Sequence, residues 1–78
     1  MAVSAYVLIQ TEVGRAAAVS EAMRAVPGVR DADVVIGPYD IVLRLDGSTM
    51  DEIAQSVVTR IQVVEGITRT LTCEVVHL

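Results

Sequence analysis

The chain has no lysine, no tryptophan and no phenylalanine, and only one cysteine and one histidine among its 78 residues. Each scarcity removes a class of function. A single cysteine, Cys73, cannot form a disulfide within the chain or build a cysteine-based metal cluster. Six arginines stand against ten acidic residues, for a net charge of -4. No basic patch stands out, so nucleic acid is not expected as a direct partner. Two tyrosines are the whole aromatic content, too few for the stacking platform of an RNA-binding domain with this element order. The apolar runs are broken every few residues, so no segment is expected to cross a membrane. The N-terminus shows no basic segment leading into an apolar stretch, which argues against a signal peptide and makes the cytoplasm the expected compartment. The first loop, Gln10-Thr11-Glu12-Val13-Gly14, offers no soft metal ligand, and no metal or cofactor is expected.

What is present is apolar and short. The hydrophobic fraction is 53% and the charged fraction 21%, which excludes disorder. A chain of this length is one domain and buries only about 60% of its unfolded surface. So apolar a small domain needs cover for its surface, and self-association is the expected answer.

The pattern along the chain is β-α-β-β-α-β. Residues 2–10 read as a strand. Thr11 is placed to cap a helix running to about Val26, with Glu12 in its first turn and Pro27-Gly28 as its stop. Val29 to Ile36 is a strand that begins with Arg30, Asp31 and Asp33, charges suited to a sheet edge. Tyr39 to Asp46 is the third strand. Ser48 or Thr49 caps a second helix with Asp51 or Glu52 completing a capping box, and Gly66 ends it. Thr68 to Leu78 is the last strand. This is the ferredoxin-like α+β unit, a four-stranded antiparallel sheet with two helices on one face.

The other sheet face is left bare. Ile41, Leu43, Leu45, Leu71, Cys73 and Val75 are the more apolar alternate set and are assigned to the helix side. Tyr6, Leu8, Val34, Ile36, Val42 and Arg44, with Thr70 and Thr72, are assigned to the open side. That semi-apolar set is the expected surface for a dimer built sheet against sheet.

Catalytic chemistry has few pieces. His77 lies next to the C-terminus, Cys73 sits within a strand as a small hydrophobe, and no serine or threonine has an evident base. The Gly37-Pro38-Tyr39-Asp40 corner between two β-branched runs is the exception. Pro38 fixes the corner, Gly37 exposes backbone amides, Tyr39 offers a ring and a hydroxyl, and Asp40 a carboxylate. Together they suit a zwitterion. Equally, Asp40 can bond local backbone while Tyr39 packs at an interface. Thr68, Thr70 and Thr72 can bond the same guest, or simply favour a strand.

Four segments taken in order, Ala5-Tyr6-Val7-Leu8-Ile9, Pro27-Gly28-Val29, Gly37-Pro38-Tyr39-Asp40 and Gly66-Ile67-Thr68-Arg69-Thr70-Leu71-Thr72, resemble the effector-binding (RAM) domain of the Lrp/AsnC family of transcriptional regulators. The resemblance covers essentially the whole chain. It implies a homo-oligomer in which sheet-to-sheet dimers close into an octamer or decamer. It also implies a small effector, usually an amino acid, in the cleft between dimers. Gly37, Tyr39 and Asp40 match the family's turn, and Thr68, Thr70 and Thr72 are expected from the neighbouring subunit. Full-length relatives carry a helix-turn-helix domain that does not precede the first strand here. The expectation is a stand-alone module, 1–78, that can co-assemble with a full-length regulator. Two alternatives stand beside it: an ACT-like amino-acid-sensing domain and an assembly module that holds no ligand. No enzymatic activity is expected.

Overall fold

Alternation decides the first strand and, through it, the core. In β1 (Val3–Thr11), Ala5, Val7 and Ile9 are fully buried, while Tyr6 between them is exposed. The structure, a computed structural model, describes residues 2–78. After β1 come α1 (Ala16–Arg24), β2 (Val29–Val34), β3 (Ile41–Gly47) and α2 (Met50–Ser56). A π-helical turn (Val57–Ile61) extends α2, and β4 (Ile67–Glu74) closes the chain. The strands form one antiparallel sheet in the order β2-β3-β1-β4. This is the expected ferredoxin-like arrangement, with the charged β2 at an edge.

Both helices cover the same face. Val19 and Met23 of α1, and Ile53, Val57 and Ile61 of α2 and its extension, pack with Ile9, Ile41, Leu43 and Leu45 in one buried cluster. Each fully buried side chain of this size contributes roughly 1.5–3 kcal/mol by leaving water. Among the described residues, no helix is long and apolar enough to cross a membrane.

The helix starts differ in how they are made. Thr49 caps α2: its hydroxyl accepts the Glu52 amide at 3.1 Å, and Asp51 and Glu52 fall in the first turn where acids oppose the helix dipole. Thr11 does not cap α1. It is the last residue of β1, its amide and hydroxyl both engaged by Asp40. The chain then turns through Gly14, at φ +81°, and α1 begins only at Ala16, behind Arg15, which makes no side-chain cap. At the far end of α1, Gly28 has φ +91°, and a Cβ there would lie 2.6 Å from the Asp46 carbonyl oxygen. Only glycine permits that approach, which lets the Asp46 amide donate to Gly28 O at 2.9 Å.

The second helix ends in a wider coil. The Gln62 amide donates to Val57 O at 2.8 Å, five residues back, so the last turn holds one more residue than an α-turn would.

Register corrects part of the face assignment. Directly opposed residues share a face in an antiparallel pair. Leu71 opposes Leu8 and Cys73 opposes Tyr6, so both lie on the open side, and Cys73 is exposed rather than buried. Thr70 and Thr72 oppose Ile9 and Val7 and lie on the helix side. β4 is an edge strand that neither helix covers fully, and its apolar residues therefore do not report the core side. Val34 opposes Ile41 and also lies on the helix side, not the open one. Ile36 is beyond the end of β2, fully exposed in the connecting loop. Tyr6, Leu8, Val42 and Arg44 are on the open face as expected. There the Arg44 guanidinium donates to the Tyr6 hydroxyl at 3.2 Å and lies 5.5 Å from its ring centroid. Asp46 beside them accepts the Ser4 hydroxyl at 2.6 Å.

Candidate functional site: the corner at the end of β1

The two β-branched runs around Gly37-Pro38-Tyr39-Asp40 close a hairpin, and its tip is tied down to β1. The Val35 amide donates to Asp40 O at 2.9 Å. The Asp40 amide donates to Ile9 O at 2.8 Å. Asp40 Oδ2 accepts the Thr11 amide at 2.8 Å and the Thr11 hydroxyl at 3.3 Å. The Gln10 side-chain amide donates to Pro38 O at 2.9 Å. These bonds explain why the corner is ordered without being buried. One carboxylate oxygen of Asp40 serves the fold, and Oδ1 takes none of these bonds.

Tyr39 is half-buried and its hydroxyl makes no hydrogen bond within the described chain. Gly37 is exposed, its φ is not positive, and a Cβ there would meet nothing within 4 Å. Within the subunit its small size is therefore not required by the turn; it leaves open space over the loop.

The threonines divide. Thr70 accepts the Gln62 side-chain amide at 2.8 Å. Thr68 and Thr70, with Gln62, Ile67 and Arg69, line a small hollow of about 150 Å³. Thr72, opposite Val7, lies outside it. The hollow and the corner belong to the same end of the sheet, because Ile9 pairs with Ile41 on one side and with Thr70 on the other. Two strand spacings, about 10 Å, separate them. One subunit thus presents both.

Gln10, Thr11 and Gln62 are the residues that sequence reasoning missed. Gln10 carries a signal, a polar side chain closing an apolar strand. Gln62 carries none, since only the wider π-turn aims it at Thr70. Exposed apolar residues cluster near this end: Val13 follows β1, Ile36 is in the hairpin loop, and Val63 precedes β4. A larger depression of about 250 Å³, bordered by Pro27, Leu45, Ser56 and Arg60, lies at the opposite end of the sheet. Among the described residues, no group of three or more His, Cys, Asp or Glu side chains is arranged to hold a metal ion.

The chain matches the Lrp/AsnC ligand binding domain over residues 4–77. Among solved structures it is similar to TTHA0845 from Thermus thermophilus, with 32% identity and a TM-score of 0.91, the match covering 97% of this chain and 95% of that one. It is likewise similar to FFRP-DM1, with 30% identity and a TM-score of 0.89 over 95% of this chain and 99% of that one. The transcriptional regulator NMB0573 from Neisseria meningitidis, solved as a complex with L-Met, shares the fold at 16% identity and a TM-score of 0.84. That match covers 96% of this chain and 50% of the regulator. No curated protein matches the chain.

Proposed function

The chain belongs to the Lrp/AsnC ligand binding domain family, and from that premise we propose that it is an amino-acid-binding regulatory module whose ligand sits against Gly37, Tyr39 and Asp40. The family is one of regulatory ligand-binding domains, not of enzymes.

The observation that carries the reading is the divided carboxylate of Asp40. Oδ2 is held by Thr11 and Oδ1 is left for an incoming ammonium. Tyr39 supplies a half-buried ring with an unengaged hydroxyl beside it, and the open space at Gly37 lets a ligand carboxylate approach the backbone. The hollow formed by Thr68, Thr70 and Gln62 adds hydroxyl and amide groups near the same end. Thr72, opposite Val7, does not line this hollow.

Dimerisation through the open sheet face buries Tyr6, Leu8, Val42 and Leu71. Contact between the apolar corners of successive dimers closes a ring, octameric or decameric. An amino acid acts by binding one assembly state better than another, because only differential affinity shifts such an equilibrium. The output is a changed response in a full-length Lrp/AsnC-type partner.

The test is thermal unfolding of the protein with each of the twenty amino acids at millimolar concentration. A ligand present at ten times its Kd adds about 1.4 kcal/mol, which raises Tm by roughly 5–10 °C in a domain of this size. A rise for one or a few amino acids supports the reading. No rise for any of them supports the second reading, an assembly module without a ligand. That alternative draws on the same Asp40 bonds, since an aspartate that ties the corner to β1 has a structural role of its own.

A further inference from the structure

We propose that the open sheet face is coded by charge for a second copy of this chain, with Asp33 of each subunit meeting Arg69 of the other. The inference rests on the open face being the dimer surface and names how that surface selects its partner.

The face has a polarity across its strands. Asp33, on edge strand β2, opposes Val42; Arg69, on edge strand β4, opposes Gln10. Register puts both on the open side, flanking the apolar centre of Tyr6, Leu8, Val42 and Leu71. Both are exposed, and neither takes part in an ion pair within the described subunit. The ion pairs on this side instead gather at Asp46, with Arg30 at 3.5 Å and Arg44 at 3.8 Å. An acid on one rim and a base on the other, each unspent, make the face complementary to itself when turned over.

Symmetry limits how two copies can meet. A two-fold axis lying between the sheets and running along the strands places β2 over the partner's β4, opposite charges together. An axis running across the strands places β2 over β2 and β4 over β4, like charges together. Isologous contacts repeat every pairing twice, so the choice is counted twice. Asp33 and Arg69 differ by about one same-face step along the strand, roughly 7 Å, and packed sheets lie about 10 Å apart. An extended arginine reaches across that diagonal. Asp31 opposes Arg44, one step further from Arg69, which makes Asp33 the partner.

Charge reversal tests this on the intact chain, because both residues are exposed and neither holds the fold. D33R and R69D are each purified and their self-association measured by sedimentation. One is then isotopically labelled, and an equimolar mixture is read by native mass spectrometry. Each variant alone is expected to show a dimer dissociation constant raised about tenfold or more, from two like-charge contacts. The mixture is expected to restore wild-type association as a heterodimer well above the statistical half. In that heterodimer the arginine introduced by D33R meets the aspartate introduced by R69D, and the native Asp33 and Arg69 that remain meet each other.

Variants that associate as wild type overturn the charge code. Preferential pairing of D33R with wild type overturns it too, and selects the axis that sets β2 over β2. V42E separates this failure from a failure of the dimer surface itself. If V42E dissociates the dimer while the reversals do nothing, the face stands and the code falls. If V42E leaves the dimer intact, or the wild type is monomeric, both fall.

Discussion

Thr11 gives both its amide and its hydroxyl to one oxygen of Asp40, at 2.8 and 3.3 Å, across a separation of 29 residues. The last residue of β1 and the residue that closes the hairpin loop are thereby fastened together. Whatever binds at the corner binds to a loop already fixed.

Asp40 is therefore expected to matter twice, and two substitutions separate its roles. Asp40→Ala removes both bonds and strands the half-buried Thr11 amide, lowering stability by about 1–3 kcal/mol in urea denaturation. Asp40→Asn keeps an oxygen for Thr11 and loses the charge. It is expected to retain most of the stability while abolishing the thermal response to an amino acid. An Asn variant with an undiminished response would remove Asp40 from the ligand site.

Leu71 and Thr72 are adjacent but face opposite ways. Leu71→Asp is expected to dissociate the proposed open-face dimer at micromolar concentration, because the charge falls on the open face beside Leu8. Thr72→Asp, on the helix side of an edge strand, is expected to leave the dimer intact. Size-exclusion chromatography at several concentrations distinguishes them, and the reverse result would overturn the face assignment of β4.

Gly28→Ala meets two penalties at once, a left-handed φ of +91° and a Cβ placed 2.6 Å from the Asp46 carbonyl oxygen. A cost of about 1–3 kcal/mol or more is expected. For a domain whose whole stability is on the order of 5 kcal/mol, that is a large share, seen as a lower denaturation midpoint. Chemical denaturation read by circular dichroism measures it.

Ile9→Ala removes a fully buried core side chain at the corner end of β1, where Ile9 pairs with Ile41 and Thr70. A loss of about 2–5 kcal/mol is expected, a large share of a total stability on the order of 5 kcal/mol, read as a sharply lowered unfolding midpoint. Ile9→Val should cost only about 0.5–1.5 kcal/mol. Equal unfolding midpoints for the two variants would contradict the packing described for this end of the sheet.

The element order was legible because apolar periodicity, Pro27-Gly28 and the Thr49 cap are local signals. The faces of β1 and β3 were legible too, since these central strands bury one side completely and leave the other polar or half-open. β4 was not. On an edge strand the difference in burial between faces is small, and Leu71 and Cys73 make the open side of β4 read by alternation as the core side. The start of α1 was missed because Thr11 followed by Glu12 is a good cap locally, and its competitor, Asp40, is far along the chain. The corner itself was legible from its glycine, ring and carboxylate. Its fastening to Gln10 and Thr11, and the hollow that Gln62 completes with Thr70, depend on strand order and on a helical irregularity that no window of residues announces.

The wide turn after α2 also makes the length of the chain, and not only its composition, decide a contact. One residue fewer between Ser56 and Gln62 would let the helix close as an ordinary α-turn, at no cost to its apolar stripe before Val57. Everything beyond would swing by about 100° around the axis, and Gln62 would leave Thr70 for solvent. The count of residues from Thr49 to Gly66, more than the identity of any one between them, decides whether Thr70 keeps its partner.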